Sequence, residues 1–205
     1  MADRYFIILL SIFTGSITVA SVLATKIITV SGLFVPAGVL AYSVTFICTD
    51  VISEIWGKKR ANDVVLGGFA ALLSVMIFVQ ISLVWPEAPF WKNGEAFKTV
   101  LGSTTRIITA SFAAYLASQF HDVWAFHFWK KITKGRHLWL RNNLSTVVSQ
   151  FIDSFLFVTI AFYGIHPVWP LIRGQWIVKI GIAVLDTPVI CFLVWCIRKQ
   201  LENKG

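Results

Sequence analysis

The sequence predicts an all-α polytopic membrane protein. The expected architecture is a bundle of six transmembrane helices in one domain over residues 1–205, with both termini in the cytoplasm. Three observations predict it. Hydrophobic residues make up 57% of the chain and charged residues 14%, and the mean hydropathy is +0.74; a soluble domain carries about a quarter charged residues. The apolar residues fall into six runs of membrane-spanning length, roughly Tyr5–Thr25, Leu33–Trp56, Val64–Trp85, Val100–Phe120, Leu144–Ile165 and Gln175–Ile197. The basic residues are asymmetric. With the N-terminus inside, Arg4, Lys58, Lys59, Arg60, Lys130, Lys131, Lys134, Arg136, Arg141, Arg198, Lys199 and Lys204 face the cytoplasm, and only Lys26, Lys92, Lys98 and Arg173 fall in outer loops.

These charges sit in short loops, so the net charge of +8 reads as a topology signal and not as a nucleic-acid surface. Cys48, Cys191 and Cys196 lie inside apolar runs without metal spacing and read as free buried thiols. The first run is too long for the apolar core of a signal peptide and is kept as a helix. The nine tryptophans cluster near the two expected interfaces, as in an aromatic belt. The longest expected loops are Pro86–Thr99 outside and His121–Asn143 inside.

The first helix carries Ser11, Thr14, Thr18, Ser21 and Thr25 at spacings of three and four, hence on one face. Hydroxyls bonded back to their own helix are the plain reading; five in register favour a wall facing a cavity. The second helix ends with Asp50 and Glu54, four apart on one face. Carboxylates so close repel, so one holds a proton unless a cation lies between them; pairing of Glu54 with the Lys58–Arg60 cluster is the plainer account of that residue. The third helix is apolar, with Gly67 and Ala71 suited to close packing.

The fourth helix holds Arg106 inside its outer end, then Ala110, Ala114 and Ser118 on one stripe beside Ala113 and Ala117. Such a stripe packs closely on another helix or on a second copy, so a homodimer is compatible with it. The fourth helix ends Ser118-Gln119-Phe120-His121-Asp122, and the fifth repeats the pattern as Ser149-Gln150-Phe151-Ile152-Asp153; a match this short does not establish a repeat. In the fifth helix Asn143, Thr146, Gln150 and Asp153 share one face. Asp153 falls about ten residues in, about 15 Å deep and near the midplane. The sixth helix has Lys179 and Asp186 on one face, then Pro188, which frees a carbonyl near Val184.

Asp50, Glu54, Arg106, Gln150, Asp153, Lys179 and Asp186 thus lie within apolar spans, with Asn143 at the inner interface. Each costs about 3 kcal/mol to insert on translocon scales. Pairing explains any one of them; together they point to a cavity between helices and a ligand rich in donors and acceptors. No metalloprotease, hydrolase or phosphate-loop motif is present, and the four histidines lack ligand spacing. No cofactor or metal is expected, and no catalytic residue.

The Thr49-Asp50…Ser53-Glu54…Gly57 ending resembles that of the queuosine-precursor transporters of the vitamin uptake type. So do the Arg106-to-Tyr115 stretch, the Arg141-Asn142…Ser145-Thr146…Ser149-Gln150…Asp153…Phe157 helix, and Lys179…Asp186-Thr187-Pro188. The resemblance implies an importer in the inner (plasma) membrane that carries 7-deazapurines, such as 7-cyano-7-deazaguanine and its aminomethyl relative, for queuosine modification of tRNA. A carboxylate of Asp50, Glu54 or Asp153 would take the donor edge of the base, and Gln150, Asn143 or Arg106 would supply donors. The implied partners are the small deazapurine and the lipid bilayer, with no nucleic acid. The alternatives are a substrate-binding subunit of an energy-coupling-factor type vitamin transporter, or a membrane enzyme.

Overall fold

The computed structural model describes residues 2–23, 26–30, 32–102, 105–164 and 168–202. Among these residues, seven helices and one short hairpin follow in order: α1 (Ala2–Leu23), β1 (Ile27–Val30), β2 (Leu33–Pro36), α2 (Gly38–Ile55), α3 (Gly57–Val84), α4 (Gly94–Leu101), α5 (Thr105–Ile132), α6 (Leu138–Phe162) and α7 (Val168–Glu202). Among the described residues the hairpin and short connections are the exceptions to an otherwise helical chain, as the sequence predicts.

Central to the bundle is α2, which packs on α1, α3, α5 and α7. Two thirds of its membrane-length window is buried, against 22% for α1 and for α3. The α5–α6 pair and the α6–α7 pair complete the ring. The apolar core is built on Phe13, Ile17, Val51, Ile52, Val64, Val65 and Tyr115. Outside it, Leu66, Phe78, Leu185 and Phe192 are exposed, an apolar jacket that only lipid makes favourable. Trp85 and Trp169 are exposed at one end of the bundle, and Trp139 and Trp195 at the other, where indoles suit the headgroup layer.

Several expected loops are shorter than the sequence implies. The α2–α3 connection is a single break, because Gly57 at φ +85 turns the chain and the helix restarts at once. The inner loop expected over His121–Asn143 is mostly helix: α5 runs to Ile132, and only residues 133–137 turn back into α6. The turn is closed by Gly135 N–H donating to the Lys130 carbonyl at 2.9 Å. Ile27–Val30 and Leu33–Pro36, read as loop and helix start, pair as antiparallel strands with Ile28 opposite Val35, and Val35 packs on Val39 and Val178. The outer loop contains most of α4, and Lys98 of α4 holds Glu87 at 2.9 Å. That carboxylate raises the Lys98 pKa above its ordinary value.

Among the described residues, five helices have the length and apolarity to cross a bilayer: α1, α2, α3, α6 and α7. The 28-residue α5 is as long but more polar. It carries Ser118, Gln119 and Asp122, all fully buried against its neighbours. Its Ala110, Ala114 and Ser118 stripe is likewise buried within this chain, so the close approach it permits is to the chain's own helices.

Candidate functional site

Helix direction sorts the bundle into two ends. At one end α1, α3 and α6 finish and α2, α5 and α7 begin; here a cavity of about 470 Å³ opens. Its walls come from Ile17 and Ala20 of α1, Val39 and Tyr42 of α2, Leu72 and Val79 of α3, Phe112 and Tyr115 of α5, Phe157 of α6 and Gln175 of α7. The wall is mostly apolar, and among the described residues its charges lie in one place, Asp153 of α6 beside Lys179 of α7.

These two side chains form an ion pair, each about 5% exposed. The Tyr42 hydroxyl donates to Asp153 Oδ1 at 2.9 Å, and Ser118 Oγ lies 3.2 Å from the same oxygen. The Lys179 ammonium sits over the Tyr42 ring at 5.1 Å. Four helices therefore meet at one charged floor, and the mutual attraction and added hydrogen bonds offset part of the desolvation cost of burying the two charges.

Beneath that floor lies a much smaller space, about 10 Å³, bordered by Asp50, Asn142, Thr146, Gln150, Asp186 and again Lys179. Gln150 is buried with its Oε1 unpartnered, as are Asp50 Oδ2 and Asn142 Oδ1. Asp122 of α5 is wholly buried in the same layer. Its carboxyl approaches Asp50 and the hydroxyls of Ser145, Thr146 and Ser149 without closing a well-formed hydrogen bond to any of them.

The opposite end is held by Glu54. Its carboxylate takes Arg141 of α6 at 2.6 Å, Lys130 of α5 at 2.8 Å, and Arg198 of α7. Arg141 is 1% exposed and lies over the Phe126 ring at 5.2 Å. One carboxylate thus ties α2, α5, α6 and α7 together where the cavity does not reach.

The structure separates the sequence-derived candidates into layers. It brings Asp153 and Lys179 together in the cavity, places Asp50, Gln150 and Asp186 with Lys179 in the smaller space, and puts Glu54 in the ion-pair cluster. Asn143 donates to Thr187 Oγ1 at 2.9 Å and to the Trp139 carbonyl at 2.7 Å. The Arg106 side chain lies outside the described residues. On α1, Ser11, Thr14, Thr18 and Ser21 bond back to carbonyls three or four residues earlier; of these four only Ser21 reaches the cavity wall, and Thr25 lies outside the described residues. Sequence reasoning passed over Tyr42, Ser118, Asp122 and Arg141. The repeated Ser-Gln-x-x-Asp pattern was the signal for two of them, since Ser118 meets Asp153 and Asp122 meets Ser149 across the antiparallel α5–α6 pair.

A family model described as "Putative vitamin uptake transporter" matches residues 36–193, which hold the floor, the smaller space and three of the four residues of the ion-pair cluster. The chain belongs to that vitamin uptake transporter family. The family is one of transporters, not enzymes, and its membership agrees with a multi-pass membrane protein. A relative from Bacillus subtilis (strain 168), named "Probable queuosine precursor transporter", is 32% identical over 199 residues, covering 95% of this chain and 85% of the relative. The "Queuosine precursor transporter" of Escherichia coli (strain K12) is 27% identical, over 72% of this chain and 64% of that protein. A "Probable queuosine precursor transporter" of Haemophilus influenzae is 28% identical, over 62% and 51%. No solved structure matches the chain.

Proposed function

We propose that this family member imports a queuosine precursor, a 7-deazaguanine such as the 7-cyano or 7-aminomethyl form, across the inner membrane to supply tRNA queuosine modification. The observation that carries this reading is the Asp153–Lys179 pair at the floor of a cavity of about 470 Å³, within the range that small-molecule sites occupy. A guanine-type edge sets an acceptor, the 6-oxo group, beside two donors, N1–H and the 2-amino group. It can slot between the pair, with its donors on the Asp153 carboxylate and its oxygen on the Lys179 ammonium, so that neither charge is left unpaired. Phe112 and Phe157 offer ring faces, and Gln175, one turn from Lys179, offers an amide to the 7-substituent.

The orientation follows from the basic residues. With both termini inside and α5 counted as a sixth span, the cavity opens outward and the Glu54 cluster closes the cytoplasmic end. Burial of the polar groups of α5 against α2 and α6 supports that sixth span. The test is uptake of labelled 7-cyano-7-deazaguanine by liposomes that contain only this purified chain. Saturable uptake that unlabelled precursor competes away is the expected result. Binding without uptake would instead assign a substrate-binding subunit that needs an ATP-hydrolysing partner, and neither binding nor uptake would remove the reading.

A further inference from the structure

The layer between the cavity floor and the Glu54 cluster contains a pair of acids with no ion pair to a cation among the described residues. Asp50 and Asp122 are 1% and 0% exposed, and their carboxyls face each other across the α2–α5 contact. Asp50 Oδ2 and both Asp122 oxygens lack a hydrogen-bond partner. The contrast with the floor above is direct. The two Ser-Gln-x-x-Asp segments cross so that each aspartate meets the other's serine, yet Asp153 has Lys179 as its third neighbour where Asp122 has Asp50.

The surrounding charges are committed elsewhere. From α7, Lys179 borders the same small space as Asp50 but is held by Asp153, and half-buried Asp186 adds a further acid. From α6, Arg141 spends its Nη2 on Glu54 while its buried Nε and Nη1 have no hydrogen-bond partner, and Lys130 of α5 is bound to Glu54 as well. On α5, His121 bonds Ser149 Oγ at 3.0 Å. Among the described residues, α1 and α3 place no charged side chain in the interior. Two carboxylates in contact, both removed from water and neither ion-paired to a cation among the described residues, do not ionise together. The adjoining space, about 10 Å³, is barely the size of one water and leaves no room for a hydrated metal ion; a proton needs none.

We propose that Asp50 and Asp122 form a proton-binding site, and that import is driven by one proton taken up there from the cavity side and released to the cytoplasm with each substrate. This rests on the transport reading above. Lys179 supplies the physical link, because it lines both spaces: a substrate seated between it and Asp153 alters the field it exerts on Asp50, and so the hold on the proton.

The experiment uses the purified full chain in liposomes with 7-cyano-7-deazaguanine as probe. Counterflow at equal pH reports carriage alone. With the outside one pH unit more acidic, the wild type should accumulate the probe up to about tenfold above equilibrium, for one proton per substrate, and an internal pH dye should report acidification that depends on the probe. Asp122→Asn should keep counterflow and lose the accumulation, while Asp122→Glu should restore accumulation with a displaced pH profile. Wild-type counterflow without pH-driven accumulation overturns the proton site, as does accumulation driven by a sodium gradient instead. Undiminished accumulation by Asp122→Asn overturns it also. Absence of wild-type counterflow overturns the transport reading itself. If Asp122→Asn does not assemble, the wild-type dye signal and the Asp122→Glu profile decide the matter.

Discussion

Replacing Asp153 and Lys179 by alanine, singly and together, separates a binding floor from a structural ion pair. In Asp153→Ala the Lys179 ammonium, 5% exposed, loses its anion, but Asp50 and Asp186 border the neighbouring space and partly replace it. The cost should therefore sit at the lower end for breaking a buried pair, about 3 kcal/mol. In Lys179→Ala only the Tyr42 and Ser118 hydroxyls still face Asp153, so about 4–5 kcal/mol is expected. The double variant leaves no orphan charge and should be no worse than the milder single one, a strongly non-additive cycle. Thermal or denaturant unfolding in detergent reads these costs. Function should not follow stability. Each charge supplies charge-assisted hydrogen bonds of about 1.5–3 kcal/mol, so either loss should weaken deazaguanine binding by roughly tenfold to a hundredfold, and the double variant should be stable yet fail to bind. A double variant that folds and binds like the wild type would refute the reasoning, since the pair would then be structural alone.

Other expected outcomes concern the frame around the site. A Cβ at Gly68 would run into the Phe13 ring and the Tyr115 hydroxyl, which donates to the Val65 carbonyl at 2.7 Å; Gly68→Ala should cost about 1–3 kcal/mol, and Tyr115→Phe on top of it should cost less than on its own. Glu54→Gln leaves the buried Arg141 without its anion and should cost about 3–5 kcal/mol in detergent unfolding, and a loss below the error of that assay would remove the cluster as a structural tie. Gly57 at φ +85 should not tolerate a side chain cheaply, and Gly57→Val should lower stability by about 1–2 kcal/mol or more. With the native cysteines replaced by serine, a cysteine at Lys92 should be labelled from outside intact cells and one at Lys134 only after permeabilisation; the reverse would invert the topology.

The helices were legible in the sequence because lipid enforces long apolar runs, and the breaks between them were less so. A single glycine at positive φ suffices where a loop was expected after Trp56, and nothing local to residues 121–132 announces that the helix continues. That continuation has a tertiary cause. The polar groups of α5 are buried against α6 and α2, so the loss of apolar character after Phe120 marks a change of neighbour, not the end of the helix. Asp122 falls inside the expected inner loop, His121–Asn143, for that reason. Asp153 and Lys179 were legible as intramembrane charges of opposite sign, but which acid meets which base depends on helix contacts that spacing does not encode. The α1 stripe shows the reverse case: its hydroxyls keep register, yet their bonds close within their own helix, which leaves the face free of any obligation to a ligand.

The repeated Ser-Gln-x-x-Asp segments gain their meaning from direction. Two copies on antiparallel helices place each aspartate against the serine of the other copy, so the local surroundings of Asp122 and Asp153 start out alike. What differs is the third helix at each: α7 brings a lysine to Asp153, and α2 brings a carboxyl to Asp122. One copy is therefore neutralised within the protein and the other is not. On the proposed reading a neutral base fits at the first, where both charges can be met by one flat edge, and the second takes a proton. In that proposal substrate and proton bind one helical turn apart on the same pair of helices, close enough for either to bias the other without any long-range relay.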